Sequence, residues 1–269
     1  MPLRRFVKRY SYWAADTASD HLQLKTANLA SSIQINLCGD ELRWYADTSG
    51  SHRQCLKGIT ISGPQSRPFV VDGNQPKLVR VIFQNDGIHP FLGTSVSVLH
   101  NQLISLENIW GMEIRQLHQQ LVDARGPSLI FEMLDSYLLR RLSKQGINTS
   151  TNILDFLSHA FGVSASVKVE DIADSAGIST KHFIKLFTQT LGVTPKLYLR
   201  TLRFEQAITR AQDQAIVDWA DIAAHCGYYD QSHLIRDFKQ FTGLAPGRYI
   251  AALPVSSTAL QPTWLNTFA

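Results

Sequence analysis

Cysteine is scarce in this 269-residue chain: Cys38, Cys55 and Cys226 stand far apart, none in C-x-x-C spacing. The pattern offers neither a zinc knuckle nor a thiol redox motif. Cys226, just ahead of a glycine, reads as a small packed residue. Long apolar runs are also missing. None approaches the ~20 residues of a membrane helix, and the basic N-terminus lacks the apolar stretch of a secretory signal. A soluble protein of the cytoplasm, with no membrane partner, is the expectation. Spread-out charge is absent too. The formal net charge is +4 and the calculated pI about 9.0, but Arg4, Arg5, Lys8 and Arg9 alone account for that excess. A nucleic-acid reading therefore has to rest on which faces carry the basic residues. His21, His52, His89 and His100 are scattered singly, without metal-ligand spacing. No Ser/His/Asp set, paired carboxylates or phosphate loop stands out. Neither catalysis nor a metal nor a cofactor is expected.

What is present is an internal repeat, the first thing to settle in any chain. Ile172-Ala173, Gly177, Phe183, Phe187, Gly192 and Pro195 recur as Ile222-Ala223, Gly227, Leu234, Phe238, Gly243 and Pro246. The blocks up to the turn glycine are offset by 50 positions and the later ones by 51, so one residue is inserted after Gly227. Each unit predicts a short helix, a glycine turn and a longer helix, the helix-turn-helix arrangement whose second helix enters the DNA major groove.

The details agree with that reading. Glu170 and Asp171 suit a helix N-terminus. Ser179 is a good N-cap, as are Asp218 and Asp230. Phe183, Leu186 and Phe187 form a buried i, i+3, i+4 stripe, as do Leu234, Phe238 and Phe241 in the second unit. Thr180, Lys181, His182 and Lys185 remain on the outer face of the first long helix, and Gln231, Ser232, His233, Ile235, Arg236 and Lys239 on that of the second. Between the units a helical pattern runs from Pro195 to Gln212, about 27 Å long. Such a strut could hold two recognition helices about one DNA turn, ~34 Å, apart.

Before the repeat the pattern changes. From about Tyr12 to Leu106 the runs SSIQINLCGD, ELRWYAD, KGITISG, RPFVVDG and KLVRVIFQ read as short strands between turns. That suggests an antiparallel sandwich or barrel. Trp44, Tyr45, Phe69 and Phe83 could line an effector pocket or simply fill the core, as aromatics readily do. From Leu106 to Leu142 the period becomes helical. Ile109, Ile114, Leu117 and Leu121 precede a Gly126-Pro127 break, and Leu129, Ile130, Met133, Leu134, Tyr137, Leu138 and Leu142 follow it. This helical hairpin could pack on the strands or on a second subunit.

The segments VEDIADSAGISTKHFIKLFTQTLGVTPKLYLRTLRFEQA and DIAAHCGYYDQSHLIRDFKQFTGLAPGRYI resemble the AraC/XylS family of bacterial transcription regulators. The resemblance covers about Asn152 to Ala252 and departs at Tyr228, where the family usually has Phe. RRFVKRYSYW, GPQSRPF, VRVIFQNDGIHPFLG and LENIWG resemble, less closely, the sensor-like domain often fused to this module. The resemblance implies an α+β fold: an N-terminal cupin-like β-barrel plus dimerisation helices, then an all-α C-terminal domain with two helix-turn-helix motifs joined by a long helix. The expected divisions are 1–106 for the barrel, 107–143 for the hairpin, 144–151 for a linker, 152–252 for the double helix-turn-helix domain, and 253–269 for a poorly ordered tail.

The function so implied is sequence-specific regulation of transcription, as an activator touching RNA polymerase. It would act as a homodimer on double-stranded promoter DNA, under control of a small-molecule effector. The alternative is a ligand-independent regulator whose N-terminal domain only dimerises or binds a partner protein. Base edges would be met by Thr180, Lys181, His182, Ile184 and Lys185, and by Gln231, Ser232, Ile235 and Arg236. Lys and Arg suit guanine, Gln suits adenine, and the isoleucines could offer apolar contact to a thymine methyl. Phosphates would be met by Arg200, Arg203 and Lys239. A DNA-repair enzyme with a borrowed module would need a reactive cysteine cluster, which three scattered cysteines do not supply.

Overall fold

The computed structural model describes residues 2–14, 22–38, 41–45, 53–72, 77–145, 168–212, 214 and 216–252. The tail at 253–269 lies outside the described residues, as do 146–167, which hold most of the expected linker and the start of the C-terminal division.

Alternation of side chains builds the N-terminal half. In strand β8 (Lys77–Phe83), Val79, Val81 and Phe83 are buried while Leu78, Arg80 and Ile82 face the other way, half-buried. β8 sits between β1 (Val7–Ala14) and β3 (Ser32–Asn36), and the sheet continues through β6 (Ile59–Ser62) to β9 (Leu103–Ser105). A second sheet has the order β2 (Leu22–Lys25), β7 (Phe69–Asp72), β4 (Leu42–Tyr45), β5 (Arg53–Leu56). Both are antiparallel throughout. The strands thus form two facing sheets rather than one closed barrel. Pro64 and Pro68, which cannot donate to a ladder, interrupt the chain where it passes from β6 to β7.

One face of the five-stranded sheet is covered by helices. After α1 (His89–Leu92) and α2 (Glu107–Trp110), helices α3 (Glu113–Asp123) and α4 (Pro127–Gln145) lay Ile114, Leu117, Leu121, Ile130, Leu134, Leu138 and Leu142 on Ile33, Ile35, Ile59, Ile61, Val79 and Val81. Each such side chain contributes about 1.5–3 kcal/mol on burial. Leu129, expected on this stripe, is exposed instead. It belongs to the first turn of α4 and projects off the packed face.

The C-terminal half is helical: α5 (Val169–Ser175), α6 (Thr180–Leu191), α7 (Pro195–Gln212), α8 (Trp219–His225), α9 (Gln231–Thr242) and α10 (Pro246–Ala252). α7 is the strut between two separate cores. Its Tyr198 joins Ile172, Ala173, Phe183, Phe187 and Leu191. Its Phe204, Ala207 and Ala211 join Ile222, Ala223, Leu234, Phe238 and Phe241.

The halves are in direct contact through the segment that follows β2. Ala27 is buried in the second helical core and Leu29 in the first. The Ala27 N–H donates to the Phe241 carbonyl at 2.9 Å. Asn85 Nδ2 donates to the Tyr198 hydroxyl at 2.7 Å. A Cβ added to Gly192 would meet Val96 Cγ1 at 3.0 Å and Pro64 Cγ at 3.2 Å, so the first unit also abuts the N-terminal half at a glycine.

Candidate nucleic-acid interface

The two units are built alike, atom for atom at their turns. In the first, Gly177 takes a left-handed φ of 68°, a conformation open to glycine without steric cost. The Ile178 N–H then reaches back to the Ala173 carbonyl at 3.1 Å. In the second, Gly227 has φ 74° and the Tyr228 N–H reaches the Ala223 carbonyl at 2.9 Å. These bonds satisfy carbonyls left over at the end of a helix. The inserted residue is accommodated immediately after this bond: Tyr229 is 93% exposed.

The long helices are capped as their sequences predict. Ser179 Oγ accepts from the His182 N–H at 3.3 Å, and Asp230 Oδ1 from the His233 N–H at 2.7 Å. Asp218 Oδ1 accepts from the N–H groups of Ala220 and Asp221, capping α8. An N-cap of this kind contributes about 1 kcal/mol. With their ends secured, α6 and α9 are 12 residues each, and each buries one stripe.

On α6, Lys181, His182, Ile184 and Lys185 are exposed and Thr180 half-buried. On α9, Gln231, Ser232 and Arg236 are exposed, and Ile235 half-buried. The segment Thr180–Leu191 contains no acid. The one acid within Gln231–Thr242, Asp237, is 1% exposed. Both outer faces are therefore cationic and free of exposed carboxylates. Arg236 lies along its own helix, its Nε donating to the Ser232 carbonyl at 3.4 Å.

The three cations assigned to phosphates are placed differently. Lys239 is exposed. Arg200 Nη2 donates to Asp237 Oδ1 at 2.5 Å and to Gln240 Oε1 at 2.9 Å, with its guanidinium over the Phe241 ring. Arg203 Nη1 donates to the Gly227 carbonyl at 3.1 Å and lies over Tyr228. Both arginines thus tie the strut to the second unit. Burial, and to a smaller extent Asp237, pushes the Tyr228 hydroxyl well above the usual tyrosine range. Asp237 is a positioning residue that sequence reasoning missed. An acid on the stripe side of an otherwise basic helix was the available signal.

In the N-terminal half, Trp44 is buried and Tyr45 and Phe69 are half-buried. Trp44 and Phe69 pack with ring centroids 6.4 Å apart. Phe83 lies elsewhere, in the core beneath the helices, since it shares a face of β8 with Val79 and Val81. Tyr45, adjacent to Trp44 along the strand, points to the opposite side of its sheet. The four aromatics do not converge on one cavity. His89 and His100 are held below the usual histidine range, mainly by burial; His21 and His52 lie outside the described residues. Among the described residues Cys38, Cys55 and Cys226 are free thiols, and no group of three or more His, Cys, Asp or Glu could hold a metal ion. No helix among them is long and apolar enough to cross a membrane.

Comparison with known proteins places this geometry. The family model described as a helix-turn-helix domain matches residues 172–252, which hold α6 to α10 and most of α5. An HTH-type transcriptional regulator of Haemophilus influenzae is 25% identical over 140 residues, 49% of this chain and 45% of that protein. The HTH-type transcriptional activator RhaS of Escherichia coli O157:H7 is 23% identical over 201 residues, covering 71% of this chain and 67% of RhaS. Among solved structures, ToxT from Vibrio cholerae aligns over 90% of this chain and 98% of its own, with a TM-score of 0.48 and 13% identity. The chain spans less than half the length of several curated relatives it matches. Residues 172–252 thus carry a helix-turn-helix domain, and the chain is similar to HTH-type transcriptional regulators.

Proposed function

We propose that this protein is a sequence-specific regulator of transcription, acting as an activator in the cytoplasm. It binds double-stranded promoter DNA through α6 and α9 in adjacent major grooves. The observation that carries this reading is the pair of capped, acid-free cationic helix faces, one built on each end of a single strut. Thr180, Lys181, His182, Ile184 and Lys185 form one base-reading set, and Gln231, Ser232, Ile235 and Arg236 the other. Lys239 holds a phosphate. Arg200 and Arg203, fastened to Asp237 and Gly227, add positive charge behind α9 while fixing its angle to the strut.

The N-terminal domain receives a small effector and forms the homodimer. Met112, Val122 and Leu129 are exposed apolar residues on or beside α3 and α4, which suits a subunit contact there. RNA polymerase is the partner an activator addresses. Activity of the protein is to bind and recruit, with no reaction catalysed.

Selection of bound sequences from random duplexes tests the residue assignments. A bidentate base contact is worth about 1–3 kcal/mol of discrimination. Lys181→Ala should therefore relax preference in one half-element and Arg236→Ala in the other. Lys239→Ala should weaken binding to all sequences and reduce the salt slope by about one. Uniform weakening by Lys181→Ala and Arg236→Ala, with preferences intact, would remove both from base readout.

A further inference from the structure

The second unit carries one residue that the first does without. Between turn glycine and helix cap the first unit has Ile178 alone, and the second has Tyr228 and Tyr229. Tyr228 takes the place of Ile178: its N–H closes the same bond to the preceding helix, at 2.9 Å. Its ring turns inward, edge to face with His233 at 5.3 Å and with the Arg203 guanidinium over it at 5.6 Å. Asp230 takes the place of Ser179 as the cap, accepting from the His233 N–H at 2.7 Å. The turn is thus pinned on both sides of Tyr229, and the side chain between the pins is turned out.

Nothing in the fold uses that side chain. Tyr229 is the most exposed of the described large hydrophobic residues, and it makes no hydrogen bond, ion pair or ring contact with any described residue. The first unit shows that the turn closes and the helix is capped without a residue there. A ring held in water on a fixed turn gains nothing from burial. Its position is one residue ahead of the cap of α9, which opens on the exposed Gln231 and Ser232. A recognition helix meets base edges with its N-terminal residues. A side chain projecting just before them stands at the edge of the groove, where the sugar-phosphate backbone runs. Charge agrees. The cap of α6 is a neutral hydroxyl, whereas at α9 the Asp230 carboxylate occupies the helix end. A carboxylate there already complements the helix dipole and repels a second anion. A phosphate is therefore kept off the end of α9 and is met one residue further out, by a neutral donor.

We propose that Tyr229 is a DNA-backbone contact of the second unit: its hydroxyl donates to a phosphate oxygen and its ring lies along the adjacent deoxyribose. Tyrosine hydroxyls are among the donors that position a protein on phosphates without reading sequence. The first unit has no counterpart, so the two half-elements are held unequally, the one under α9 by one contact more. The inference rests on the DNA-binding reading above, and adds to it a residue that belongs to neither the base-reading sets nor the cations at phosphates.

The test measures binding of the full chain to its selected duplex over a series of salt concentrations. A hydrogen bond of this kind corresponds to about two- to tenfold in affinity, so Tyr229→Phe should weaken binding by that factor. Tyr229→Ala, which also loses the ring, should weaken it further. Because the phenol is neutral, neither should change the salt slope, unlike Lys239→Ala. Tyr229→Lys puts a cation at the phosphate and should steepen the slope by about one. Base preference should stay as in the parent, and so should the thermal midpoint, because the side chain supports no packing. On a duplex that keeps only the α6 half-element, Tyr229→Ala and the parent should bind alike. Parental affinity in Tyr229→Phe, or an unaltered slope in Tyr229→Lys, would overturn the contact. A changed base preference in the α9 half-element would overturn it in favour of base reading. A parent that selects no duplex would sink the regulator reading and this contact with it; selection by the parent, with unaltered binding by the variants, would sink the contact alone.

Discussion

At the scale of single residues, the chemistry that fixes α9 against the strut is a buried ion pair between the two helices. Asp237 is 1% exposed, and Arg200 is its cationic partner. Removing one member of a buried pair leaves the other uncompensated and costs about 3–5 kcal/mol. Arg200→Ala should therefore lower the thermal midpoint strongly. Replacing both together, Arg200→Met with Asp237→Leu, should cost much less, because no charge is stranded. Equal losses in the single and double variants would show that packing, not charge, holds α9 to the strut. A second residue gives a pH signature. Burial raises the Glu205 carboxyl above the usual carboxylate range, against a smaller opposing effect of its hydrogen bond to the Leu29 backbone and of Lys8. A carboxyl raised in the folded state binds its proton more tightly there than in the unfolded chain. Its contribution is thus complete below the ordinary carboxylate value and is lost as pH rises through the raised one. Glu205→Gln should flatten that fall in a series of thermal midpoints across the weakly acidic range; an unchanged slope would assign the fall to other groups.

At the scale of elements, most of the helical half was legible because its rules are local. Ser179, Asp218 and Asp230 cap as their positions predict, and Phe183 and Phe187 of the apolar stripe are buried while Leu186 is half-buried, since caps and periodicity depend on residues three or four apart. The turn glycines follow the same logic. A Cβ at Gly177 meets nothing within 4 Å, so Gly177→Ala tests the left-handed backbone alone. It should cost about 1–2 kcal/mol in a chemical-denaturation midpoint; a neutral outcome would mean that the turn relaxes. What was not legible is long-range. The Arg200–Asp237 pair spans 37 positions and lies across two helices. The split of the strands into two sheets depends on which strands pair, and short alternating runs leave that open. For the same reason Phe83 could not be separated from Trp44 and Phe69 by composition: all are aromatics in strands, and only register puts Phe83 beneath the helices.

At the scale of the whole molecule, the N-terminal half does more than sit beside the helix-turn-helix half. The segment at Ala27 and Leu29 contributes to both helical cores, so it bears on the angle between α6 and α9 as the strut does. Ala27→Arg would force a long cation into a packed core, a change that costs about 1–3 kcal/mol or more. Each unit should still read its own half-element, but the permitted spacings between half-elements should broaden among selected duplexes. Spacing as narrow as in the parent would show that the strut alone sets the geometry.

The central claim is that two recognition helices read one stretch of duplex together. Selection from random duplex DNA with the full chain, at stated salt, tests it most directly. The account predicts two half-elements separated by about one helical turn, ~10–10.5 base pairs, with contributions lost one at a time on Lys181→Ala and Arg236→Ala. A single short element, unaffected by one of those substitutions, or no enrichment at all, would contradict it.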